Sequence, residues 1–382
     1  MNAATAAADQ EDRRFLDPDR LDGFPHPRET LRLYGQDEAE RILLQAHVTQ
    51  RMHHAWLLAG PEGIGKATLA YRFARFVLAH PEGAPPEARQ DLSVPDASPV
   101  AAQVAALSHP GLLVLQRPWQ DQGKRFATAI TVSEVRRLRA FLGRTADQGH
   151  WRVVIVDRAD ELNVNAANAL LKSLEEPPKR TVFLLVASAP GRLPVTVRSR
   201  CRMLRLRPLA TDVLIDAVRA VAGEAGVGEA DDAKLASCAA LAQGSVRHAL
   251  ELHANDGIEI YQRLLGVLRK LPRVDHSAIH ALADDVTARG ADDKFEMLHT
   301  LFGDALARLV RQAATGAGAI GEEADLAGRL IRPQRLAPWA ELWETVTRAK
   351  ADAFALNLDR KNLILGTFFR LEETARSTAS ET

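Results

Sequence analysis

The stretch GPEGIGKAT, residues 60–68, carries the residue types most suited to chemistry. Gly60, Gly63 and Gly65 let backbone N–H groups turn inward with no Cβ in the way. A helix starting after them adds partial positive charge. Lys66 then stands where an ammonium neutralises the β- and γ-phosphates of a nucleotide. A phosphate loop reads G-x-x-x-x-G-K followed by Ser or Thr, and here that last position is Ala67. The missing hydroxyl is the one that ligates Mg²⁺ in such loops. Thr68 comes one residue late, and a helical step of about 100° turns its side chain away from that direction. Nucleotide binding is therefore the expectation, and metal-assisted hydrolysis is not. A plain Gly-rich turn before a helix is the alternative, and the strand before the loop and the helix after it speak against that.

A second run, RVVIVDRAD (152–160), repeats the pattern of partial loss. Asp157 ends an apolar strand, where an acid would meet the metal. The next position, where a Glu would activate water, is Arg158. Asp160 and Glu161 follow on a turn and read as helix N-terminal charges. A third run, PVTVRSRCRMLRLRPL (194–209), holds Arg198, Arg200, Arg202, Arg205 and Arg207, with Arg192 just before it. Arg202 on its strand reads as a solvated face. Arg200 lies in a loop, from which an arginine can stabilise charge on a phosphate held by a neighbouring subunit.

Positioning these groups takes a sheet and its crossover helices. Strand-like runs occur at 54–60, 111–116, 152–157, 181–188 and 202–207, alternating with helical patterns from about residue 30 to 208. The most apolar three show little alternation, as expected of strands covered on both faces in a parallel sheet. This is the pattern of an α/β unit. Residues 79–110 are rich in Pro and Ala and read as an inserted excursion. From 209 to 254 the chain is helical and Ala-rich, with GSVRHALEL (244–252) opening on a Gly-Ser cap signal. From 255 to 375 it is helical again, broken by the Gly-Ala stretch 314–324. Residues 1–29 and 376–382 read as flexible tails.

The 49 basic and 49 acidic residues balance, so overall charge does not announce a nucleic-acid binder. Two cysteines, Cys201 and Cys238, exclude a disulfide framework and a four-thiolate site within the chain, and a reducing cytoplasm fits. The N-terminus has no apolar core of signal-peptide length, and no apolar run is long enough for a membrane span.

Taken in order, YGQ (34–36), HHAWLLAGPEGIGKAT (53–68), NALLKSLEEPP (168–178), FLLVASAPGRLPVTVRSRC (183–201) and GSVRHAL (244–250) resemble the AAA+ clamp-loader subunits of bacterial DNA polymerase III. The resemblance covers roughly residues 30–255. It favours the delta-prime branch over the gamma/tau ATPases, whose loop ends in Gly-Lys-Thr and whose acidic motif reads Asp-Glu. It implies an α/β AAA+ domain with a P-loop and parallel sheet (30–208), a small helical lid (209–254) and an all-α collar (255–375), the last assigned by position alone.

The implied function is a stationary, non-hydrolysing subunit that assembles with gamma/tau and delta. Such a subunit helps load the sliding clamp on primed DNA. Ser199-Arg200-Cys201 corresponds to the family's SRC motif, with Arg200 as the finger reaching a neighbour's ATP. Arg247 matches the sensor-2 arginine, Tyr34-Gly35-Gln36 the adenine-side segment, and Ser188 or Ala187 the sensor-1 region. Many relatives carry a four-cysteine zinc module after the first helix. With no Cys in residues 79–110, no zinc is expected, and the excursion should be held by packing alone. ATP or ADP in the Gly60–Lys66 cradle is permitted but not required. An autonomous ATPase using Thr68 and a displaced acid such as Glu161 is the runner-up. A DNA-binding regulator with a vestigial nucleotide fold is weaker, because no helix-turn-helix or basic tail is evident.

Overall fold

Runs of Val, Leu and Ala too apolar to leave a wet face become strands in the interior of a sheet. In the computed structural model these are β1 (Ala55–Ala59), β2 (Leu112–Leu115), the short pair β3 (Trp119–Gln120) and β4 (Arg125–Phe126), β5 (Arg152–Val156), β6 (Thr181–Ala187) and β7 (Arg202–Arg205). The structure describes residues 17–18, 20–85, 88–121, 125–143, 150–226, 231–356 and 359–379. The main sheet has five strands in the order β2-β5-β6-β1-β7, all parallel. Every residue of β1 and β6 is buried, which explains their lack of alternation. All five predicted strands are present. The antiparallel pair β3–β4 is an addition, too short to leave a periodic signal.

At the sheet edge, β7 buries only Leu204 and turns its arginines outward. Arg202 is exposed as expected, with its guanidinium 4.8 Å from the centre of the Trp56 ring. Parallel strands put their C-terminal ends on one side, where α/β sheets hold ligands. Ala59 pairs with Ala187 across β1 and β6, so Gly60 and Ser188 emerge side by side. The helix Val164–Glu175 packs on this sheet through Ala166, Ala167, Leu170 and Leu174. Each leucine contributes about 2 kcal/mol by burial. Asn163 starts that helix by accepting from the Ala166 N–H at 2.8 Å.

The chain divides into two units, Met1–Glu229 with Gln243–Arg247, and Ala230–Ala242 with His248–Thr382. The first carries the sheet. Helix Thr211–Glu224 groups with it, whereas helix Asp232–Ala242 groups with the second unit, so the stretch expected as a separate lid is shared out. Within the second unit, Arg308 and Glu323 form a buried ion pair at 2.8 Å that also takes the Tyr261 hydroxyl at 2.6 Å.

Three expectations need correction. Residues 17–29 are not a loose tail: Phe24, His26 and Arg28 are buried, Arg28 ion-pairs with Asp17, and its Nε donates to the Ala105 carbonyl at 2.8 Å. Residues 1–16 and 19 lie outside the described residues. At the other end the helix Arg360–Ala379 runs through 376–379. The excursion 79–110 buries Leu92 and Val104, yet packing is not its only hold: the Leu92 N–H donates to Glu40 Oε1 at 2.8 Å.

Candidate functional site

The cradle forms at the C-terminal end of β1. Gly65, at φ 98°, precedes the helix Lys66–Ala79 in a left-handed conformation that a side chain resists. Gly63 has φ 74°, and a Cβ there would lie 2.2 Å from Ser245 Oγ and 2.6 Å from Arg247 Cβ. Its carbonyl accepts the Val246 N–H at 2.9 Å and the Arg247 N–H at 3.3 Å. Thus the GSVR segment, 180 residues downstream, closes on the loop. Gln36 is buried and holds the other flank, donating to the carbonyls of Ile64 at 3.0 Å and Arg207 at 2.7 Å. Next to it, Gly35 sits against Leu209 and Val213, while Tyr34 is half-buried.

Lys66 is 5% exposed, and its ammonium donates to the Pro61 carbonyl. Burial pulls its pKa down to about 8, against the opposing pull of Glu62, Asp160 and Asp157. An ammonium that is buried and, among the described residues, hydrogen-bonded only to a carbonyl suits a phosphate, so the loop fits a nucleotide's phosphates. Ala67 and Thr68 follow on the first turn of the helix, both half-buried.

Asp157 is buried at the end of β5, and its N–H donates to the Leu115 carbonyl at 2.9 Å. Arg158, in a left-handed conformation, reaches both ways: its guanidinium bonds Glu161 Oε1 at 2.9 Å and ion-pairs with Glu62 of the loop. Glu161 is also paired through Oε2 with Arg117 at 2.9 Å. Asp160 and Glu161 do lie in a short helical turn, Ala159–Glu161, but their carboxylates are engaged beyond it. Asp160 Oδ2 instead accepts the N–H groups of Ser188 at 3.2 Å and Ala189 at 2.8 Å, tying the second motif to the end of β6. Neither Glu62 nor this tie was foreseen, because both depend on pairings across the sheet that spacing does not encode.

The finger candidate stands on the turn between the short helix Val195–Arg198 and β7. Arg200 is half-buried, and its guanidinium bonds the Thr196 carbonyl at 2.9 Å and Glu175 Oε1 at 2.6 Å. Glu175 is the last residue of the helix Val164–Glu175, where a carboxylate opposes the helix dipole. Arg200 offsets that charge. Ser199 donates to Thr196, and burial pushes the Cys201 thiol up to about 12, so it is no nucleophile at neutral pH. Among the described residues, no three His, Cys, Asp or Glu side chains gather to hold a metal. Nor is any helix among them long and apolar enough to cross a membrane.

Residues 35–210 match the family described as DNA polymerase III, delta subunit. Over 148 residues the chain is 40% identical to the DNA polymerase III subunit delta' of Pseudomonas aeruginosa, covering 39% of this chain and 41% of that one. Over 161 residues it is 37% identical to the delta' subunit of Yersinia pestis, covering 42% and 44%. The matched stretch spans less than half the length of either relative. Among solved structures, the Holliday junction branch migration motor RuvB of Thermotoga maritima aligns with a TM-score of 0.41 and 17% identity, over 93% of this chain and 92% of that one. Through residues 35–210, a little under half of its length, the chain is similar to the DNA polymerase III delta subunit family, and over shorter stretches to delta' subunits of two bacteria.

Proposed function

We propose that this protein is a non-hydrolysing clamp-loader subunit that assembles with gamma/tau and delta subunits and helps load a sliding clamp on primed DNA. One observation carries the reading: Arg158 stands where a catalytic carboxylate is required and is committed to Glu62 and Glu161. Water activation has no base there, and Ala67 removes the hydroxyl that would hold Mg²⁺. Glu161, the displaced acid of the autonomous-ATPase reading, is neutralised by Arg158 and Arg117.

Residues Gly60–Lys66 would hold the phosphates of ATP or ADP, with Tyr34, Gly35 and Gln36 on the adenine side and Arg247 as the sensor. Bound nucleotide would act in shape and assembly. Catalytic work falls to Arg200, half-exposed at the head of an edge strand, which would reach a neighbour's ATP from the Ser199-Arg200-Cys201 turn.

The test is reconstitution. The isolated chain should hydrolyse ATP negligibly. Complexes carrying Arg200→Ala should assemble yet lose about 10³-fold or more of the turnover at the neighbouring site. Robust DNA-stimulated hydrolysis by the chain alone, or unchanged turnover of the Arg200→Ala complex, would refute the assignment.

A further inference from the structure

The helix Lys66–Ala79 carries two arginines, Arg72 and Arg75, past its first turn. Together with Arg32, Leu92 and Ser93 they line a cavity of about 170 Å³. Arg75 is 2% exposed, and among the described residues no carboxylate touches it. Its guanidinium donates to the Thr30 carbonyl at 2.7 Å and, at 3.5 Å, to that of Arg28, while its Nε has no partner. Burial first, and then the neighbouring Arg72, draw its pKa down to about 10, which still leaves it charged at neutral pH. A buried guanidinium met only by carbonyls is strongly penalised.

Arg72 is better compensated, bonding the Leu31 carbonyl and Glu40 Oε1 at 2.6 Å, but its Nε is also without a partner. The same Glu40 oxygen takes the Leu92 N–H, so that carboxylate has little left for Arg75. Asp91 and Asp96 are exposed. Asp91 is engaged by the N–H and hydroxyl of Ser93, and Asp96 acts on Arg75 only through its field. Arg32 stands exposed at the rim.

Arg72 and Arg75 are three residues apart on one helical face. With Arg32 they line a space large enough for a small anion and its waters. We propose that this cavity binds a small oxyanion of the phosphate type. The site is separate from the cradle: Arg72 and Arg75 lie roughly 9 and 14 Å beyond Lys66 at 1.5 Å per residue. It also ties together three parts of the first unit, since the anion would bridge the N-terminal segment, the helix and the loop at 92–94. The oxyanion could be free phosphate or the phosphate of a nucleotide, and the chemistry of the guanidinium groups is the same for both.

Calorimetric titration of the full chain with inorganic phosphate tests this, with ADP in a separate arm. Phosphate should bind this cavity saturably in the unaltered chain and still do so in Lys66→Ala, where the cradle's ammonium is gone. It should bind at least tenfold more weakly in Arg32→Ala, and not detectably in Arg75→Gln. Arg32 is exposed, so its variant keeps the test alive if Arg75→Gln does not fold. In the Lys66→Ala background, competition by ADP would identify a nucleotide phosphate as the occupant, and lack of competition would identify the free anion. Absence of saturable phosphate binding would overturn the proposal. So would binding that is lost in Lys66→Ala but intact in Arg32→Ala, since it would place the phosphate in the cradle.

Discussion

Arg200 has a partner inside its own chain, and that partner defines what the proposed finger would have to give up to act elsewhere. Glu175 is exposed, so the pair contributes about 1 kcal/mol or less in water. A phosphate chain offers more negative charge and more acceptors than one carboxylate, and would draw the guanidinium away at small cost. Glu175→Gln should therefore change the unfolding free energy measured in urea by less than about 1 kcal/mol, because it also relieves a charge opposed to the helix dipole. In a reconstituted complex the same variant should not lower ATP turnover, in contrast to Arg200→Ala. A fall in turnover as deep as that of Arg200→Ala would mean that Glu175 positions the finger instead of merely parking it.

At the scale of elements, the N-terminal segment is a fitted part of the sheet-bearing unit. His26 is 1% exposed, stands edge-on to Tyr71, and accepts the Arg28 N–H through Nδ1 at 3.1 Å. Burial lowers its pKa to about 4, with Asp17 opposing and Arg28 assisting. The unfolded chain takes up this proton near pH 6.5, and the folded chain only near 4. Stability should accordingly fall as pH drops through that window, by at most about 3 kcal/mol. Urea unfolding at pH 7 and pH 4.5 measures the loss. His26→Asn, which keeps an acceptor for Arg28, should make the difference smaller. In the helical unit, the buried Arg308–Glu323 pair sets a larger stake. Glu323→Gln leaves a buried guanidinium uncompensated and should cost about 3–5 kcal/mol in full-chain unfolding.

At the scale of the molecule, a neutral chain with two cysteines must build its units from packing and ion pairs. Cys201 and Cys238 both sit in surroundings that disfavour the thiolate a metal needs. Metal analysis should find no stoichiometric zinc, and chelator treatment should leave the thermal midpoint unchanged. One zinc per chain would contradict this. The residues 17–29, expected as part of a flexible tail, show how a local reading fails. Asp17 and Arg28 neutralise each other only once the fold brings them together, and spacing alone does not reveal that pairing.

By itself the sequence determined the parallel strands, the glycine-rich loop Gly60–Lys66 between strand and helix, and the departures from the phosphate-loop pattern at Ala67 and Arg158. Each of these is written in residue type and short-range period, which local physics reads directly. Tertiary structure decided where the charges go. Arg158 could have been a bare cation at a dead site, but the register of β1, β5 and β6 carries it to Glu62 and carries Asp160 to the N–H groups of Ser188 and Ala189. The closure of Ser245–Arg247 on Gly63, the tether of Arg200 to Glu175, and the cavity around Arg75 have the same origin. They join residues far apart in sequence, and the energy of such contacts depends on burial and geometry that only the folded chain creates.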